Sequence, residues 1–292
     1  MNESNYIFII LWTIVSGIAI EYAFTSIQSN LVTSGYMLFQ NPIIDLTAFI
    51  TGTFLINTIN YLVCGLWFES LNRQSNPSYN SYRRADQITK EITRGIRTLV
   101  GISIFTGIWY RYIDTWTPHY NYYGPISDLS YGSIICQILM YIVLADTWFY
   151  WSHRALHYNE LYRSIHSVHH GFSDPSAFAQ IAVHWVEALI HGPCVILVPY
   201  LLYPIHSQIL ITMGYMTGIY ALGAHDGLML DWNDHKKHHQ YKMIKKEKNY
   251  IAGVNYGLYT HFWDKVCGTE FSAECTVPYD QTAKDSINIL NH

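Results

Sequence analysis

The sequence predicts an all-α polytopic membrane protein with about four spans, a re-entrant or kinked hairpin, and a cytosolic histidine-rich site for two metal ions. Composition is the first reason: of 292 residues half are apolar and only 13% are charged, whereas a soluble domain carries about 25% charge. Long apolar runs are the second reason. The third is an unusual number of histidines, 15 in all, many of them in three short clusters.

Six apolar runs organise the chain, at residues 6–24, 43–68, 99–112, 131–151, 185–203 and 205–224. Several approach the roughly 20 residues that a helix needs to cross a bilayer. The first run has no basic segment before it and no clear cleavage site, so we expect a retained helix and not a signal peptide. The third run is short for a span. Three prolines within or between the last two runs, Pro193, Pro199 and Pro204, predict the hairpin.

The distribution of basic residues predicts an orientation. Lys and Arg are absent from residues 1–42 and 113–130, and they concentrate between residues 69 and 97 and after residue 224. If the first four runs cross and the last two return as a pair, these basic segments share one side, which the positive-inside rule makes cytosolic. Arg111, at the far end of the third run, is then the one Lys or Arg on the opposite side. The same topology places the histidine clusters on the cytosolic side.

Composition also excludes several classes of protein. The net charge is −4 with histidine neutral, and no basic face points to nucleic acid. The five cysteines show no CxxC or CxxxC spacing. A disulfide framework and a thiolate zinc site are therefore not expected.

The histidines form three clusters, HRALH at residues 153–157, HSVHH at 166–170 and HKKHH at 235–239. Positions three and four apart share one face of a helix, so we expect each cluster to aim its imidazoles at one point. The eight clustered residues are His153, His157, His166, His169, His170, His235, His238 and His239.

This number of imidazoles predicts two metal ions, because a structural zinc takes only four ligands. Neutral imidazole suits iron, copper, nickel or zinc. His184 and His225 lie on the same side of the predicted topology and are expected to complete the ligand set. Five acidic residues are candidates for fixing the imidazole tautomers, with Asp146 and Asp226 preferred; the others are Asp174, Glu187 and Asp234. We expect His191 to be a polar contact between packed helices and His261 to have a structural role.

Three segments then resemble a known family. DTWFYWSHRALH at residues 146–157, LYRSIHSVHH at 161–170 and NYGLYTHFWDKVCGT at 255–269 are similar to two histidine boxes and the closing motif of the fatty acid hydroxylase/sterol desaturase superfamily. The resemblance covers residues 90–269. It implies one membrane catalytic domain over 1–292, with N-terminal helices and a polar loop at 1–89, the catalytic core at 90–271 and a tail at 272–292.

The resemblance implies a multi-pass enzyme of the endoplasmic reticulum. Its cytosol-facing centre would hold two non-haem iron ions on the ten histidines named above and use O2 to oxidise a lipid C–H bond. The eight box histidines would be the catalytic residues. Electrons would come from cytochrome b5 or a similar donor, which must be a separate protein because no HPGG-type haem segment occurs here.

Within the superfamily, SAFA before His184 and AHDG at residues 224–227 resemble sterol C5-desaturases, the lathosterol oxidases, which implies a C5–C6 double bond as product. HSVHHGF and HWVE also resemble sterol C4-methyl oxidases, and SAFA with THFWDKVCGT resembles cholesterol 25-hydroxylases. Ile181 departs from the C5-desaturase pattern, which has histidine there, and residues 239–255 form a longer stretch. Lipid hydroxylation, including that of fatty acids, therefore stays open.

Functions of other classes are less compatible with the sequence. A histidine-rich metal transporter would need ionisable residues within several spans, and few are present beyond Glu21, Asp45 and Asp146. A bis-histidine haem protein would place its histidines inside the spans. An inactive scaffold would not need all eight box histidines.

Overall fold

The computed structural model describes residues 41–75, 81–116, 126–172, 174–227, 230–243 and 253–278. The first apolar run and most of the predicted tail lie outside these residues. The helices are α1 Pro42–Ser75, α2 Ser81–Trp116, α3 Tyr131–Leu156, α4 Asn159–Leu161, α5 Ser167–His170, α6 Trp185–His191, α7 Pro193–Leu202, α8 Ser207–Asp226, α9 His235–Gln240 and α10 Phe262–Cys267. A π-helical turn, Tyr162–His166, and two 3-10 turns, Ile126–Asp128 and Ala177–Ile181, complete the helical part.

Helices α1 and α2 pack against each other and against the 3-10 turn Ala177–Ile181. The Tyr61 hydroxyl of α1 donates a hydrogen bond of 2.8 Å to the carbonyl of Phe178, and the two rings meet edge to face. Gly65 makes room for the same phenylalanine, because a Cβ at residue 65 would overlap its ring. The first long helix is thereby attached to the segment that follows the second histidine cluster.

Helix α3 places one face towards lipid and the other towards the core. Ile135, Leu139 and Val143, spaced four residues apart, are more than half exposed, whereas Tyr141 and Ala145 are completely buried. The buried face packs against α7 and α8. Because α3 ends in the first histidine cluster, this packing also sets the position of that cluster.

In the described part of the chain, three helical segments are long and apolar enough to cross a membrane: Pro42–Gln74, Tyr131–Leu156 and Trp185–Leu202. The run at residues 99–112 lies in α2 and is not one of them, and neither is α8. The third segment is bent, since α6 ends at His191, Gly192 has φ −85° and ψ −93°, and Pro193 starts α7. The predicted helical membrane fold is confirmed. Of the four expected crossings, the one at residues 6–24 is outside the described residues and the one at 99–112 is not among the candidate spans, whereas the bent segment Trp185–Leu202, expected as part of the hairpin, is one of them.

A two-stranded antiparallel sheet is the exception to the helical fold. Strand β1, Tyr241–Met243, pairs with β2, Thr276–Pro278. The pairing ties the chain after the third histidine cluster to residues that follow the closing motif.

Candidate metal centre

Nine of the ten predicted ligands lie in two adjacent groups, and within each group the ligand nitrogens are within 4.8 Å of one another. All nine side chains are buried. The five-histidine group consists of His153, His157, His166, His170 and His238. The four-histidine group consists of His169, His225, His235 and His239.

Each of the two HxxHH clusters contributes histidines to both groups. In the second cluster, His166 and His170 belong to the five-histidine group, and His169 to the other. In the third cluster the roles reverse: His235 and His239 belong to the four-histidine group and His238 to the five-histidine group. The prediction that each cluster aims at one point is therefore wrong for these two. A pair four residues apart shares a helical face, whereas the histidine between them points about 100° away.

The ring nitrogens within each group face one another at short distances. In the five-histidine group, the Nε2–Nε2 distances are 3.2 Å between His153 and His166, 3.1 Å between His166 and His170, and 2.9 Å between His170 and His238. In the four-histidine group, Nε2 of His225 lies 3.2 Å from Nε2 of both His169 and His235.

Backbone carbonyls determine the tautomer of three rings. Nδ1 of His153 lies 3.1 Å from the carbonyl oxygen of Tyr256, and Nδ1 of His238 lies 2.6 Å from that of Val254. His225 makes the corresponding 2.7 Å bond within α8 to the carbonyl of residue 221. A carbonyl only accepts, so in a neutral ring Nδ1 carries the proton and Nε2 presents a lone pair. This is the arrangement expected of a metal-ligating imidazole.

These lone pairs explain why the site fits metal ions. Lone pairs that face one another repel unless a cation lies between them. A metal–nitrogen bond of about 2.0–2.1 Å places neighbouring ligand nitrogens roughly 2.9–3.4 Å apart in octahedral or tetrahedral geometry. The Nε2–Nε2 distances of both groups, 2.9–3.3 Å, agree with that spacing. The donor set therefore fits a metal ion in each group.

Burial keeps these imidazoles neutral. It lowers the pKa of six rings outside the candidate spans well below the usual value for histidine, and neighbouring imidazoles lower it further. The six are His166, His169, His170, His235, His238 and His239. Since a metal ligand must be deprotonated, the apolar surroundings prepare the site for a metal.

Glu187 of α6 is an acidic side chain that contacts the ring of a predicted ligand. Its Oε1 lies 2.8 Å from Nδ1 of His166, and both side chains are almost fully buried. The carboxylate orients this ring as the carbonyls orient the others. An acid inside an apolar run was the sequence signal for it, three residues after His184.

The two preferred aspartates occupy other places. Asp146 of α3 accepts hydrogen bonds from the backbone N–H groups of residues 258, 259 and 260 and from the hydroxyl of Thr260. Among the described residues it contacts no imidazole, but it holds the segment whose Tyr256 carbonyl orients His153. Asp226 accepts a hydrogen bond from the side chain of Asn72, which ties α8 to α1.

Two further histidines lie outside the groups. His184 belongs to neither: its Nδ1 accepts the N–H of Val186 at 3.3 Å and caps the start of α6. His191, predicted as a packing contact, lies with its ring 4.4 Å from that of Phe149 and 5.4 Å from that of His153. The backbone carbonyls that accept from the ligand rings could not be predicted from the sequence, because every residue has one.

A cavity of about 210 Å³ extends from the centre between the helices. Its wall is mainly apolar, with Leu99, Ile102, Ile196, Ile211 and Leu222 among its residues. It also contains His153 of the five-histidine group and His169, His225 and His235 of the four-histidine group. An apolar ligand in this cavity would lie against both metal positions.

Comparison with known proteins agrees with this geometry. The fatty acid hydroxylase family model matches residues 138–269, which include both histidine groups. Residues 138–269 are thus similar to fatty acid hydroxylases. The resemblance drawn from the histidine boxes and the closing motif is confirmed.

The hydroxylase domain is shared with curated proteins of several activities. Human lathosterol oxidase is 23% identical over 192 residues, 63% of this chain and 61% of its own. Methylsterol monooxygenase of Aspergillus fumigatus is 29% identical over 172 residues, 54% of this chain and 56% of its own. A very-long-chain aldehyde decarbonylase of Oryza sativa is 31% identical over 153 residues, covering 48% and 57%. The chain thus matches less than two thirds of the length of these relatives. No solved structure matches it.

Proposed function

We propose that the chain is a membrane enzyme that uses O2 and two bound iron ions to desaturate a sterol, introducing a C5–C6 double bond. One observation carries the proposal: a single apolar cavity borders imidazoles of both histidine groups. The lathosterol oxidase relatives favour the sterol and the desaturation. Hydroxylation of a lipid is the second candidate, and the methylsterol oxidase relatives favour it.

Iron suits the proposal better than zinc, because zinc does not change its oxidation state. Two iron ions in these groups would supply the redox chemistry by which O2 oxidises an unactivated C–H bond. The protein contributes the orientation of the rings, through the acceptors of Nδ1, and a wall that excludes water. A histidine-rich transporter is less compatible with nine buried imidazoles in two fixed groups.

The overall reaction balances with an external reductant. In desaturation the lipid gives up two hydrogens, and O2 is reduced to two water molecules with two further electrons and two protons. In hydroxylation one oxygen atom enters the lipid and the other leaves as water, again with two external electrons. A cytochrome b5-type donor is therefore part of the proposal. We place the enzyme in the endoplasmic reticulum with its centre facing the cytosol, on the basis of the positive-inside pattern.

The test is the sterol profile of a yeast that lacks its own sterol C5-desaturase. Cells express the intact chain, the ligand variant His170→Ala or the matched control His261→Ala, whose ring belongs to neither group. We expect a sterol lighter by two hydrogens with the intact chain and the control, and none with His170→Ala at equal protein level. A lipid heavier by one oxygen would favour the hydroxylase. No product from the intact chain, supplied with a donor and several sterols, would contradict both candidates.

A further inference from the structure

Three amide side chains on the cavity wall have no part in the metal centre. Asn57 and Asn60 come from α1, and Gln180 comes from the 3-10 turn Ala177–Ile181. All three are partly buried. None of them makes a hydrogen bond to any residue that the structure describes.

The three amides are carried by two segments that contact each other. Asn57 and Asn60 are three residues apart and so share a face of α1. Tyr61 follows Asn60 directly, and its hydroxyl bonds the carbonyl of Phe178, two residues before Gln180. This contact holds the turn that carries Gln180 against the helix that carries Asn57 and Asn60.

Amides without partners are unfavourable at this position. Asn57 and Asn60 lie in the interior of the candidate span Pro42–Gln74. A polar group in an apolar region is stable only when it is hydrogen-bonded. Since the described protein provides no partner, a ligand in the cavity is the natural source of one.

The charge of the wall limits the chemistry of that ligand. Among the described residues that line the cavity there is no Lys or Arg, and Glu187 is the acidic one. Away from the histidine groups, a carboxylate or phosphate would therefore find no positively charged side chain. A hydroxyl can donate to an amide oxygen and accept from an amide nitrogen. The wall thus suits a mostly apolar molecule that carries a neutral hydroxyl.

We propose that Asn57, Asn60 and Gln180 form a subsite that binds the hydroxyl group of the lipid substrate, while the apolar wall directs its carbon skeleton to the histidine groups. This inference rests on the proposed function, because it takes the occupant of the cavity to be the substrate. A sterol and a long-chain alcohol both offer this hydroxyl.

Lipid binding to the full chain in nanodiscs, without an electron donor, tests the subsite. The radiolabelled probes are cholestanol with its deoxy counterpart cholestane, and octadecanol with octadecane; nanodiscs without protein give the background. The intact chain should bind the hydroxylated member of one pair about tenfold more tightly, because two or three neutral hydrogen bonds each contribute modestly. The pair that shows the preference identifies a sterol or a linear lipid.

Two variants and one control localise the preference. The double variant Asn57→Leu/Asn60→Leu and the separate variant Gln180→Leu should each reduce it to less than about threefold and leave the affinity for the hydrocarbon unchanged. Gln74→Leu removes an amide from the same helix outside the cavity, and it should retain the full preference.

Two results would overturn the subsite: equal binding within both pairs by the intact chain, or an undiminished preference in both amide variants. Unchanged hydrocarbon binding shows that a variant is folded. The comparison of the two members of each probe pair on the intact chain does not depend on any variant, so no folding defect can affect it. A hydroxyl preference in a chain that oxidises no lipid would contradict the proposed function alone. An active enzyme without the preference would contradict the subsite alone.

Discussion

The two histidine groups use the same ligand chemistry but are held differently by the protein. In the five-histidine group, Nδ1 of His153, His166 and His238 bonds a carbonyl or carboxylate. In the four-histidine group, His225 makes such a bond, whereas Nδ1 of His169 is buried without a partner in the described structure. Rings with fixed tautomers lose less freedom when they bind a metal. The five-histidine group should therefore bind its ion more tightly.

The groups also differ in what they face. Three rings of the four-histidine group line the cavity, whereas His153 is the one ring of the five-histidine group that does so. The comparison suggests a division of labour, with one ion held firmly by the protein and the other placed against the substrate. The predictions below test this division.

Removal of a ligand should have the largest effect. His238→Ala takes a ring from the five-histidine group, and His239→Ala takes one from the other. Loss of a ligand's partner alone costs 10–100-fold, so each variant should lose more than about 100-fold of turnover. His239→Ala should keep the firmly held ion, and His238→Ala should lose it. Metal analysis of the purified variants beside His261→Ala checks this; equal metal loss in both would break the distinction.

Metal-free protein should become less stable in mild acid. The six imidazoles with lowered pKa bind protons more weakly in the folded state than in the unfolded state. Their contribution to stability is present above about pH 6.5, the unfolded pKa, and is lost as the pH falls below it. Each adds up to about 1.4 kcal/mol per pH unit. Thermal unfolding in detergent at pH 7.5 and 5.5 measures the effect, and a metal-free protein equally stable at both would contradict it.

Glu187→Gln should weaken metal binding at the five-histidine group alone. Glutamine keeps an oxygen that can accept from Nδ1 of His166 but removes the charge. A loss of about 10–100-fold in affinity for that ion is expected. Competition with a chelator measures it, with Glu160→Gln, an exposed acid of α4, as the matched control. An unchanged affinity would mean that the contact only packs α6.

His184→Asn should have the smallest effect. His184 lies outside both groups and caps α6 with its side chain, and asparagine is a good capping residue. Metal content should stay unchanged, and stability should change by less than about 1 kcal/mol. A variant that loses metal would restore His184 as a ligand, as the sequence predicted.

The sequence predicted well which histidines lie close together, because eight histidines at repeated spacings are difficult to explain by a structural role alone. It did not predict how they divide, since the direction of each ring depends on helical phase. The cluster in α9 divides in the same way as the cluster that follows the π-helical turn Tyr162–His166, so the four-residue spacing and not the turn accounts for the division.

Of the partners of the ligands, Glu187 was among the predicted acids and the carbonyls were not predicted. Carbonyl groups of residues 254 and 256 carry no side-chain signal, and they reach the centre only because Asp146 and Asp264 hold the closing segment. Asp146 was expected to contact an imidazole; it acts instead through this segment. The amide group of Asn57, Asn60 and Gln180 could not be found in the sequence, because it depends on the packing of the turn against α1.

The most direct test of two unequal iron positions is to count the iron of the purified protein and follow its release by a chelator at pH 7.5. We expect two iron ions per chain and release in two steps, with the ion of the four-histidine group leaving first. His239→Ala should then abolish the first step and leave the second. One ion per chain, or two ions released together, would contradict the account.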